Sequence, residues 1–159
     1  MVIPALDPND SFAAEQAGLA LACLDWVLDV HASEYPCERT EHADYRETLA
    51  TLADLDPGAA GDVRALLDET YTPPADLAGL RDQGRRLKEA VAHSYRLLAG
   101  SPAASAAHRA VAETAARQAQ RELAWCRLTG FPRGDLPNIA DVLAEQGRRA
   151  VRASVGATP

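Results

Sequence analysis

Two histidines, His31 and His42, bracket a short polar stretch that also holds Glu34, Tyr35, Cys37, Glu38 and Tyr45. Far downstream, Glu122, Trp125 and Cys126 form a second compact group. Imidazole changes its protonation near neutral pH, which makes His31 and His42 the catalytic candidates, as general base or orienting group. Cys37, Tyr45, Glu122, Trp125 and Cys126 are the ligand-binding candidates. Nitrogen, sulfur and oxygen donors of this kind also suit zinc, but no spacing picks out a ligand set, so a metal is left unassigned. Each residue also has a plainer reading. A histidine near a helix end commonly satisfies a carbonyl or carboxylate, a buried cysteine packs as a small hydrophobe, and tryptophan fills a core.

The familiar motifs are missing. The chain has no Glu-x-x-His pair, no HExxH, no His-x-x-x-His, no phosphate-binding glycine loop and no Gly-x-Ser-x-Gly. Asp25-x-x-x-Asp29 and Asp54-x-Asp56 fall short of the DDxxD pattern of prenyl diphosphate chemistry. Weaker constellations remain. His93 and His108 lie either side of Gly100, where a hairpin would bring them level, and Arg81, Arg85 and Arg86 form a cationic group interleaved with acids.

The elements that must position these residues are helical throughout. The spacing predicts an all-α, single-domain antiparallel bundle of about six helices. Three are long, at residues 11–33, 74–99 and 102–129, and three are shorter, at 39–55, 59–70 and 138–153. The domain spans residues 1–159, with an irregular arm at 1–10 and a frayed tail at 154–159. The first helix is the most apolar, with a narrow polar stripe at Ser11, Glu15, Gly18, Asp25 and Asp29, and is expected to be buried on more than one side. Pro36 is read as a break before the second helix. The fourth helix carries a seam at Leu77, Leu80, Gly84, Leu87, Val91, Ser94 and Leu98, and Gly100-Ser101-Pro102 turns it into the alanine-rich fifth.

Short connections make successive helices antiparallel. The end of the first helix, the start of the second, the start of the fourth and the end of the fifth then meet at one pole. That pole gathers the candidate residues.

Composition narrows the partners. The net charge is −7, carried by 23 acids against 16 bases, of which Lys88 is the single lysine. No basic face is available for a phosphate backbone, so no nucleic-acid partner is expected. Three cysteines without a CxxC spacing fit neither a disulfide framework nor a zinc knuckle and suggest the cytoplasm. No signal peptide, membrane span or membrane partner is expected. The bias to alanine and arginine fits a high-GC bacterial genome.

Together these features point to a small cytoplasmic helical enzyme or ligand-binding protein. It is non-redox and without a cofactor, and its pocket for a small apolar or aromatic molecule lies near the end of the first helix. Two other readings stand beside it: an interaction module, as a homodimer or adaptor presenting the fifth or last helix, and a metal-dependent bundle.

Overall fold

In a computed structural model, residues 10–56, 58, 60–129 and 134–156 are described, and they form six helices. These are α1 (Ser11–His31), α2 (Glu34–Leu55), α3 (Ala60–Glu69), α4 (Leu77–Leu98), α5 (Ala104–Trp125) and α6 (Ile139–Gly156). The protein is an all-α bundle. Residues 1–9 of the expected arm, residues 130–133 between the expected fifth and last helices, and residues 157–159 of the expected tail lie outside the described residues.

Three helices start on side-chain caps. Asp10 Oδ1 accepts from the Ala13 amide at 2.9 Å, Asp76 Oδ1 from Gly79 at 2.8 Å and Asn138 Oδ1 from Asp141 at 2.9 Å. Each satisfies an amide that the helix itself leaves open. The Asp76 cap sets the start of α4 at Leu77, three residues later than Pro74 suggests. Pro36 does not break α2. It sits in the first turn, where its missing N–H would have had no intrahelical partner, so α2 begins at Glu34 rather than residue 39. α6 runs to Gly156, beyond the expected residue 153.

The centre of the bundle is α2, which packs against α3, α4, α5 and α6. Leu49 and Leu52 of α2 meet Leu87, Val91 and Leu98 of α4 and Ala107 of α5 in one buried cluster. The α4 seam therefore faces inward as its spacing requires. Ala107 is fully buried, and its small side chain lets α5 approach closely.

α1 overturns the expectation of burial. Val30 is its one buried residue, while Phe12, Leu19, Leu21, Leu24, Val27 and Leu28 are exposed, Leu28 at 75%. Among the described residues, the helix is held through side chains at its C-terminal end. Trp26 Nε1 donates to the Trp125 carbonyl at 2.8 Å, and Arg127 Nε donates to Asp29 Oδ2 at 2.9 Å, with Arg127 Nη2 closing the fork on Oδ1. Asp29 thus has a partner and Asp25 faces solvent. Hydropathy records how apolar a helix is, not whether its own chain supplies the surface that covers it. Here α2, with its mixed polar sequence, has the neighbours, and α1 does not.

The two helices should respond oppositely to truncation. Leu49→Ala is expected to lower the unfolding free energy by about 2–5 kcal/mol through the cavity it leaves, whereas Phe12→Ala should stay within about 0.5 kcal/mol of the parent. Urea denaturation of dilute protein measures both.

Candidate functional site

The pole predicted from hairpin order exists. Arg81 at the start of α4 donates to Glu34 at 2.7 Å and Glu38 at 2.9 Å at the start of α2, and the end of α1 sits on the end of α5 through Trp26 and Arg127. Between these ends lies a cavity of about 170 Å³ walled by Cys37, Glu38, Glu41, Gln118, Arg121, Glu122 and Trp125, together with the Glu34–Arg81 pair. Three of the five expected ligand-binding residues, Cys37, Glu122 and Trp125, line it together.

The other candidates are elsewhere. Tyr45 lies outside the lining, its hydroxyl donating to Gln118 Oε1 at 2.6 Å and its ring under Lys88 Nζ at 5.4 Å. Cys126 caps the C-terminus of α5, where its amide bonds back to Glu122. His31 is exposed in the last turn of α1, and His42 points from α2 toward α4, with Nε2 2.9 Å from Gln83 Oε1. Neither histidine lines the cavity. Cys37 is a half-buried thiol whose pKa is pushed up to about 11, chiefly by burial. Arg121 opposes that rise and Glu41 adds to it. The group is protonated at neutral pH, a weak donor rather than a nucleophile.

The weaker constellations resolve into pairs. His108 Nδ1 lies 3.2 Å from the Tyr95 hydroxyl, while His93 is exposed. Arg81, Arg85 and Arg86 are ion-paired with Glu34 and Glu38, Asp82, and Glu69 respectively. Among the described residues, no group of three or more His, Cys, Asp and Glu is arranged to hold a metal ion, and no helix is long and apolar enough to cross a membrane.

Periodicity alone does not reveal the charge behind the cavity. Asp44, buried on α2, is ion-paired through Oδ1 with Arg117 Nε at 2.9 Å and through Oδ2 with Arg121 Nη1 at 2.7 Å. Arg121 is only 2% exposed, and the same Nη1 also reaches Gln146 Oε1 of α6 at 2.6 Å. Gln146 in turn donates to the Arg117 carbonyl at 3.1 Å, and the Thr48 and Thr114 hydroxyls close the network at 2.6 Å. One carboxylate thus answers two guanidinium groups. Among the described residues, Arg121 Nε and Nη2 and the neighbouring Asp44 Oδ2 are buried without a hydrogen-bond partner, and Arg121 is part of the cavity wall. A faint signal for this does exist in the chain. Ala107, Thr114 and Arg121 recur every seventh residue along α5 and are all buried, so the polar pair falls in the register of the packed alanine.

No protein-family model matches the chain, and neither the curated proteins nor the solved structures yielded a match. The chemistry of the cavity itself therefore carries the functional argument.

His42 sets a pH dependence. Burial lowers its pKa below 6.5, with Gln83 opposing the shift and Arg46 assisting it. The unfolded chain then binds more protons than the folded one between the lowered value and 6.5, so stability is full above 6.5 and falls as pH drops through that window. Urea titrations from about pH 8 to 5 should show this loss in the parent, and a smaller one in His42→Gln, which keeps an amide for Gln83 but does not titrate.

Proposed function

We propose that this protein binds a small amino carboxylate in the cavity between the ends of α2, α4 and α5. The observation that carries the reading is Arg121, a 2% exposed guanidinium whose Nε and Nη2 donate to no atom of the described residues. A buried donor without a partner forfeits its hydration, a penalty of about 1–3 kcal/mol and more for a charged group, unless something brought from outside accepts it. Nε and one Nη of arginine form the planar fork that matches the two oxygens of a carboxylate.

The rest of the wall favours a ligand that carries an amine as well. Glu38 is shared with Arg81 and Glu41 with Lys88, whereas Glu122 accepts only from the Gln118 amide at 2.7 Å. An ammonium group beside the carboxylate would meet that acidic rim. A volume near 170 Å³ suits a molecule of a few heavy atoms. Binding rather than turnover is favoured because the Cys37 thiol is protonated and both histidines lie outside the lining. The metal-dependent reading has no comparable support.

Calorimetric titration with glycine, L-alanine, acetate and propionate tests this directly. Glycine or alanine should bind more tightly than acetate, and Arg121→Lys should weaken binding by about tenfold or more, since an ammonium cannot form the fork. Because Arg121 also holds Asp44, Cys37→Phe serves as an independent variant that fills the cavity from α2 and should abolish binding with the fold intact. Absence of binding by all four compounds up to about 10 mM, or binding indifferent to Cys37→Phe, would sink the proposal.

A further inference from the structure

The cavity leaves the apolar surface of α1 unexplained. Leu21, Leu24 and Leu28 are all exposed, and with Ala17 they repeat at intervals of four, three and four residues. That is the a/d rhythm of a helix that packs along another helix. At 100° per residue this seam lies across the helix from Trp26 and Asp29, the two side chains that dock α1 on α5. One side of α1 is therefore committed to its own chain at the C-terminal end, with Phe12 and Leu19 exposed farther toward the N-terminus, and the other is apolar and uncovered by the described residues.

We infer that α1 is a homodimerisation helix, and that the seam is covered by the α1 of a second copy of this chain, running antiparallel. The seam is complementary to itself only in that direction. A two-fold axis between Leu21 and Leu24 sets those two leucines against each other and sets small Ala17 against large Leu28 at both ends. A parallel pairing would place alanine on alanine and leave a gap. Such an isologous contact closes on itself and stops at two copies.

Area and charge agree with this occupant. In that register residues 14–31 of the two helices overlap over about 27 Å, and with a helix about 10 Å across one flank offers roughly 400 Å². Two such flanks total about 800 Å², the size of a weak, concentration-dependent interface. A bilayer surface is the poorer candidate, because helices that lie on membranes carry Lys and Arg on their polar face, and α1 has neither. Its acids, Glu15, Asp25 and Asp29, lie off the seam, so two copies meet there without like charges in contact.

Sedimentation velocity over about 1 to 100 μM protein should show a dimer, and Leu24→Glu with Leu28→Glu should give a monomer with unchanged helicity, since both leucines are already exposed. A spin label at Ser11→Cys, in a chain whose native cysteines are replaced by serine, reads the direction. Antiparallel pairing puts the two labels about 35 Å apart, and parallel pairing about 10 Å. A monomer throughout that range, a dimer that survives both glutamates, or the short distance would each overturn the inference.

Discussion

The bundle is arranged around a buried ion pair, Asp44 with Arg121. Asp44 is the carboxylate at which α2, α5 and, through Gln146, α6 are joined, and it faces the guanidinium groups of both Arg117 and Arg121. Charged groups taken from water are tolerated inside a protein when they are paired and hydrogen-bonded, and removing one partner is far more damaging than never having buried the pair. In this network Arg121 Nη1 is engaged by Asp44 and Gln146, while Nε and Nη2 are buried without a hydrogen-bond partner among the described residues. The side chain that joins three helices is also part of the cavity wall. That double role ties the fold to the proposed ligand site.

Around this network the apolar core is conventional. Leu49 and Leu52 on α2 meet the α4 seam, and side-chain caps fix where α4 and α6 begin. The polar network and the leucine cluster occupy successive stretches of α2, with Thr48 next to Leu49 at the boundary. α1 belongs to neither. Its attachment through Trp26 and Arg127 falls on the residues that follow Glu122 in the cavity wall, Trp125 among them, so the helix proposed to join two copies is anchored beside the proposed site.

Much of this arrangement is legible in the amino-acid sequence. The α4 seam, the Gly100–Ser101 turn and the meeting of helix ends at one pole follow from periodicity and short connections, because those signals are local and the antiparallel rule does the rest. The wall residues Cys37, Glu122 and Trp125 emerge by the same route. Three things are not legible there. Pro36 reads as a breaker because its place within the first turn depends on where α2 begins, which the cap at Ser33 does not announce with a side-chain bond. Periodicity on α5 favours Ala115, Ala119 and Leu123, which are exposed, over Thr114 and Arg121, which are buried. A buried polar residue is intelligible only with its partner, and Asp44 lies far away in sequence. The exposure of α1 is hidden because a leucine-rich helix has the same sequence whether its cover is its own chain or another.

The central claim is that Arg121 Nε and Nη2, buried and unpartnered among the described residues, take a ligand's carboxylate, and the side-chain Nε–H of that arginine reports on it directly. Nitrogen-15 NMR of the arginine side chains, with Arg121 assigned, should give an Nε–H that exchanges slowly with water and moves in proportion to added glycine or L-alanine while those of surface arginines stay still. An Nε–H that exchanges as fast as the surface ones and ignores both compounds would contradict the account.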